Sequence, residues 1–280
     1  MTPKDHQAGY ARFKMDPELA PGIILVISPC RSGSTILLRV FSALGVESHF
    51  QPMKNALRWS LLGHDRHWSI QPNSGTRIMV KETLGPFVEA GCSFNPLQVL
   101  LEAGFPRAKL HVVILARDPL RTWASWYRFW PHRAPVANMI MSFRTTRQIQ
   151  EQTKALGIAS TCLVYDVFRD HPAESVFMRL CQRLDLEYSP LAIQGWEALP
   201  GFGEPGSNIV LPEEPEHFVT PGIHDGVKKA TRFAYADNEQ ALAAIRPSDL
   251  EAIARSDLAA IYESWCTESA DHLQLQVRAS

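Results

Sequence analysis

The sequence predicts an α/β fold, a central parallel sheet flanked by helices, and three stretches carry that prediction. The first is the all-apolar run "IILVI" at 23–27, which leads through "SPCRSGST" into helically spaced apolar residues. The second, "KLHVVILARDPLRTWASWYRF" (109–129), repeats the same order of buried strand, charged turn and helix. The third is "TCLVYDVF" (161–168) followed by "PAESVFMRLCQRLDL" (172–186). Continuous apolar runs without alternation belong to strands covered on both faces, and strands alternating with helices build parallel sheets. Ligands of such sheets sit beyond the strands' C-terminal ends.

The elements follow in order. Residues 1–21 read as a polar, Pro-punctuated lead-in. The strand at 23–28 feeds a helix over "STILLRVFSALG" that stops at Gly45, a C-cap residue. A second helix over "MKNALRWSLLG" precedes a strand at 76–82, "TRIMVKE", and a polar, Gly/Pro-containing stretch runs to about 106. The strand at 110–116 ends at Arg117, and Pro119 sits in the first turn of the next helix. A long helix over "VANMIMSFRTTRQIQEQTKALG", then the third strand and its helix, complete a core spanning about 22–190. Beyond it, 191–280 is loop-rich in Pro and Gly and ends in a helix near 247–266. No repeat or low-complexity tract divides the chain, so a single domain over 1–280 is expected.

Composition narrows the function classes. The 280 residues are 45% hydrophobic and 20% charged, enough for a sizeable core, and 28 basic against 29 acidic residues leave a net charge of −1. No global field recruits nucleic acid or an anionic membrane. Five scattered cysteines without a CxxC pair fit reduced thiols and a cytoplasmic location. No apolar core of signal-peptide length opens the chain, and no run approaches a membrane span. "HDRHW" (64–68) offers two histidines without further metal ligands, so no metal is expected. Trp123, Trp126, Tyr127 and Trp130 fall at helical spacing and read mainly as core.

The first loop, "PCRSGST" (29–35), is P-loop-like: it lies where helix-terminal N–H groups and the helix dipole favour a phosphate. Gly33 allows close backbone approach, Ser32, Ser34 and Thr35 add hydroxyls, and Arg31 adds a cation. A Walker A loop requires Gly-Lys-Ser/Thr, but Ser34 follows Gly33 and Ser28 stands where the first glycine belongs. The loop therefore suits a phosphate but not a triphosphate–magnesium unit; an ordinary Ser/Gly turn is the plain alternative. In the second loop, Arg117 at a strand end and Ser125 eight residues on can converge on a second phosphate.

These residues resemble the sulfotransferases that use 3'-phosphoadenosine 5'-phosphosulfate (PAPS). "PCRSGST" is similar to that family's P-[KR]-[ST]-G-[ST]-[ST] loop, with Cys30 interposed, and Arg117 and Ser125 match the spacing of its 3'-phosphate pair. "LVYDVFRDHPAESVFMRLCQRLDLEY" (163–188) resembles a third stretch, with Asp166 where Glu is usual. "GVKKATRF" (226–233) resembles the late basic loop over the donor, which brings in Lys228 and Lys229. The resemblance covers roughly 23–190 and points to the bacterial small-molecule branch. It implies PAPS as donor, 3'-phosphoadenosine 5'-phosphate (PAP) as product, a small-molecule hydroxyl or amine as acceptor, and no metal.

It also implies roles. Arg31 stabilises charge on the leaving oxygen, with Ser32, Gly33, Ser34 and Thr35 around the phosphosulfate. Lys81 occupies the place of the family's strand-end lysine. No histidine follows Lys81, so Glu82 ranks first as the base; His49 ranks second, in "GVESHFQPMKN", where Gln51-Pro52 replaces the Glu-Pro of bacterial relatives. A P-loop kinase and a non-catalytic nucleotide-binding module are the competing classes. The acceptor and the oligomeric state are not written in the sequence.

Overall fold

The apolar run at 23–27 becomes the middle of a sheet. The computed structural model of the protein describes residues 9–13, 16–70, 77–236 and 239–277. A two-residue strand, β1 (Ala11–Arg12), precedes the long strand β2 (Gly22–Pro29). Then come α1 (Ser34–Ala43), β3 (Glu47–Phe50), α2 (Pro52–Leu61), β4 (Trp68–Ser69), β5 (Arg77–Leu84), α3 (Glu89–Cys92) and α4 (Pro96–Glu102). β6 (Leu110–Ala116), α5 (Pro119–Phe129), α6 (Val136–Ala155), β7 (Ala159–Val164), α7 (Val167–Asp170) and α8 (Ala173–Arg183) complete the core. β8 (Ile209–Val210), α9 (Asp225–Lys228), α10 (Glu239–Leu242), α11 (Pro247–Ala254) and α12 (Leu258–Leu273) follow.

Six strands form one parallel sheet in the order β7-β6-β2-β5-β3-β8, and β1 pairs separately with β4. The chain builds β3 and β5 on one side of β2 and then crosses to place β6 and β7 on the other. That reversal is the topological switch point, and it opens beyond the C-terminal end of β2. Alternate residues of β2 serve two cores. Ile23, Leu25 and Ile27 pack with Met53 of α2, Leu97 of α4 and Phe143 of α6. Ile24 and Val26 pack with Leu37 and Phe41 of α1 and with Phe177 of α8. Both faces are covered, which is why the strand reads as one apolar run rather than an alternating one.

The sheet's edges are closed differently. Outward N–H groups of β7 donate to α12: Cys162 to His272 Nδ1 at 2.9 Å and Val164 to Ser269 Oγ at 3.1 Å. At the other edge β8 is only two residues long, too short to template further pairing. Among the described residues no helix is long and apolar enough to cross a membrane.

Several elements differ from the sequence expectation. β3 lies between the first two expected helices, where no strand is expected, because "ESHF" carries only two buried residues, Ser48 and Phe50. The third strand is Ala159–Val164 rather than 161–168: Tyr165 and Asp166 leave the sheet, and α7 follows. The stretch after β5 holds α3 and α4, and the expected helix at 247–266 is two helices, α11 and α12, broken near Ser256 and Asp257. Thr76, the first residue of the expected 76–82 strand, lies outside the described residues.

Candidate active site

The loop after β2 is built from two left-handed residues. Gly33, at φ 93°, caps α1, and a Cβ there would lie 2.4 Å from Cδ2 of Tyr165. Only glycine fits both the angle and the ring. Arg31 also has positive φ, 71°, an uncommon state for a side-chain-bearing residue. It is held by three contacts: Nε donates to Ser125 Oγ at 2.9 Å, Nη1 donates to Ile223 O at 3.2 Å, and the guanidinium lies 4.5 Å from the Phe129 ring centroid. Burial, with Arg117 and Arg128 nearby, pushes its pKa down to about 10. A buried guanidinium beside other cations is short of negative charge.

Arg117 directly follows β6 and is 5% exposed. Its Nη2 donates to Ala236 O at 3.0 Å, while its buried Nε has no partner among the described residues. Tyr165 underlies the guanidinium, its centroid 5.4 Å away. The turn after Arg117 is pinned by Asp166, which accepts hydrogen bonds from Asp118 N–H (2.8 Å), Tyr235 OH (3.0 Å) and Tyr262 OH (2.9 Å). Trp126 ties α5 to the first loop by donating to Cys30 O at 2.7 Å. Arg31 and Ser125, 94 residues apart in sequence, thus meet directly.

Between these loops lies a cavity of about 830 Å³. Arg31, Gly33, Ser34, Thr35, Lys81, Arg117, Ser125 and Lys228 line it. Lys81 is 2% exposed, with its ammonium 3.7 Å from the Phe50 ring centroid. Burial, with Lys54 beside it, pushes its pKa down to about 7. Ser32 does not line the cavity; its hydroxyl turns inward and donates to Pro29 O at 3.0 Å. Lys229 does not either: it is exposed and faces Asp225 at 3.8 Å.

Neither expected base reaches the cavity. Successive strand residues point to opposite faces, and Glu82 shares its face with Val80 and Leu84, away from Lys81. Its Oε1 accepts from Met53 N–H at 2.8 Å and its Oε2 from Lys54 N–H at 3.2 Å, so it caps the N-terminus of α2. It is fully buried, which pushes its pKa up to about 7 against the pull of those N–H groups and Lys54. His49 pairs in register with Val80 and lies on the same face as Glu82. Its ring packs on Trp68 at 5.4 Å, its Nε2 meets Glu47 Oε1 at 2.7 Å, and burial lowers its pKa. Gln51, at φ 50°, does reach the cavity, and Thr83 donates to its Oε1.

Among the cavity residues that escape the sequence reading are Arg58, Arg128, Tyr165, Glu214 and His224. Arg58 pairs with Glu214 at 2.6 Å. His224 lies 3.4 Å from Thr35 Oγ1 through Nδ1. The local signal for His224 is its place between glycines in "PGIHDG", the composition of a loop crossing other backbone.

Fold and site together define an α/β protein with a cation-rich cavity at the switch point of a parallel sheet. No protein-family profile matches the chain, and no curated protein matches it. Among solved structures, the chain is similar to the sulfotransferase domain of the olefin synthase from Synechococcus PCC 7002. The two are 15% identical, the alignment covers 85% of this chain and 96% of that one, and the TM-score is 0.38.

Proposed function

We propose that the protein is a PAPS-dependent sulfotransferase that moves a sulfuryl group to a hydroxyl or amine of a small-molecule acceptor. One observation carries the reading. Two phosphate-suited strand ends converge so closely that Arg31 touches Ser125, while the buried Arg117 Nε has no partner among the described residues. A buried donor without an acceptor costs free energy, and a 3'-phosphate oxygen would satisfy it. Gly33 supplies the close backbone approach for the 5' group. The cavity is near the upper end of the ~300–1,000 Å³ usual for ligand sites, with room for donor and acceptor together. Five free cysteines support a reducing, cytoplasmic setting.

When bound, PAPS supplies an activated sulfuryl group whose leaving group is a phosphate. The chain's residues do the rest. Thr35, Ser34 and the loop backbone hold the 5' end, and Arg117 with Ser125 holds the 3'-phosphate. Arg31 sits where charge grows on the leaving oxygen, so its interaction strengthens as the bond breaks. Lys81, titrating near neutrality, adds a second cation at the same wall. Phe87, Phe129, Trp130 and Phe218 line an apolar flank suited to an acceptor's body.

Calorimetry tests the reading. A charge-assisted contact to the 3'-phosphate contributes about 2–3 kcal/mol, so PAP should bind roughly 30- to 150-fold more tightly than adenosine 5'-phosphate. Arg117→Ala should erase most of that preference. Equal affinities for the two nucleotides in the wild type would remove the assignment.

A further inference from the structure

Resting on the sulfotransferase reading, we propose that His224 is the residue that takes the acceptor's proton, and that donor binding enables it to do so. The expected bases, Glu82 and His49, lie on the opposite face of the sheet. His224 instead sits in the loop that crosses the cavity, locked between two walls. Its Nδ1 is 3.4 Å from Thr35 Oγ1 in the phosphate loop, and its ring packs edge-on against Phe50 at 5.3 Å. The preceding carbonyl, Ile223 O, accepts from Arg31 at 3.2 Å. The base is therefore tied to the two side chains expected to hold the 5' end of the donor.

That tie fixes the tautomer. A phosphate oxygen only accepts hydrogen bonds, so Thr35 donates its hydroxyl proton to it. The Thr35 oxygen is then left to accept, and the partner it faces is Nδ1–H of His224. With the proton on Nδ1, Nε2 carries the free lone pair. An anion in the loop thus places the basic nitrogen on the ring edge away from Thr35.

The charges point the same way. Four cations act on the ring: Lys81 from β5, Arg31 from the phosphate loop, Lys228 from α9 and Arg58 from α2. The nearby carboxylates are engaged elsewhere, Glu214 with Arg58 at 2.6 Å and Asp225 with Lys229 at 3.8 Å. Burial and these cations hold His224 down to about 2 without ligand, neutral but a feeble base. Phosphate and sulfate groups entering among the same cations offset their field, and the imidazole's proton affinity recovers. Donor occupancy and base strength are linked. In the transfer, His224 Nε2 takes the acceptor's proton as the acceptor oxygen bonds to sulfur; the bond from sulfur to the 5'-phosphate oxygen breaks, and its electron pair stays on PAP.

The test uses the full chain with PAP as probe. Histidine-selective ¹⁵N NMR, with the His224 signal assigned by its loss in His224→Asn, follows titration and tautomer. PAP should raise the titration of His224 from about 2 toward neutrality and leave the neutral ring protonated on Nδ1. In parallel, His224→Asn should bind PAP within about threefold of wild type yet release sulfate from PAPS, with water as acceptor, roughly 10²-fold more slowly. If PAP binds and the His224 titration stays put, or Nε2 carries the proton, the inference is wrong. A normal rate of sulfate release in His224→Asn also overturns it, and a loss in Glu214→Gln instead moves the role to Glu214. If PAP does not bind the wild type at all, the donor assignment itself fails.

Discussion

Glu82→Gln separates the two roles open to Glu82, base or helix cap, because each role predicts a different observable. In the structure Glu82 accepts two backbone N–H groups at the start of α2 from a site with no solvent exposure. Gln can keep the bond from Met53 N–H through its oxygen. Its NH₂ then faces Lys54 N–H, donor against donor, and leaves a buried group unsatisfied. That costs about 1–3 kcal/mol. A second, pH-dependent contribution follows from burial, which raises the folded pKa from 4.5 to about 7. Between those values the folded state holds a proton that the unfolded state has lost. The stability this contributes is fully present below about 4.5 and is lost as pH rises through about 7. At 1.36 kcal/mol per pH unit it amounts to about 3 kcal/mol.

Gln carries no such proton, so the destabilisation by Glu82→Gln should be largest near pH 5 and shrink by a few kcal/mol by pH 8. Urea denaturation of both proteins across that range measures the difference directly. Contributions from every other titrating group cancel between them to first order. Turnover per folded molecule should be nearly unchanged. A variant with wild-type stability at all pH values but a large loss of turnover would refute the capping role and return Glu82 to the list of bases.

Other substitutions probe the cavity. Gly33→Ala forces a Cβ into a left-handed position, costing about 1–2 kcal/mol, and drives it into Tyr165 at 2.4 Å; thermal melting should drop and PAP affinity fall at least tenfold, and a normal affinity would show that the loop does not hold the donor. Arg31→Ala should lower sulfate release from PAPS more than PAP binding, since the charge it meets grows only as the bond breaks; equal losses would make it a positioning group. Arg31 donates to Ser125 at 2.9 Å, so the double variant of Arg31→Ala and Ser125→Ala should bind PAP non-additively, with a coupling of about 0.5–3 kcal/mol; strict additivity would mean the two contact separate phosphates independently.

What the sequence could disclose follows from how local each constraint is. The turn between β2 and α1 is legible because an apolar strand, a left-handed glycine and a helix start lie within a dozen residues. Arg117 and Ser125 are legible because one strand–helix unit carries both. The choice between Lys81 and Glu82 is of another kind. They are neighbours on β5, one facing the cavity and the other the core beneath α2. Alternation would have told them apart had one face of the sheet been wet. Both faces are packed, so Ile78, Met79 and Val80 are all apolar and all buried, and the pattern that reports parity is erased. The half-polar "ESHF" of β3 misleads in the opposite way, since only its inward residues are buried.

His224 lies further still from local reading. Its contact to Thr35 spans 189 residues and that of Ile223 to Arg31 spans 192; neither leaves a trace in spacing or periodicity. The turn after β2 fixes Arg31 and Thr35, whereas the loop carrying His224 is positioned by contacts to those same groups. A donor that claims Arg31 and Thr35 therefore acts on both walls of the cavity at once. On the roles proposed above, binding of the donor and readiness for proton transfer would be one event, because Arg31 and Thr35 contact the loop that carries His224.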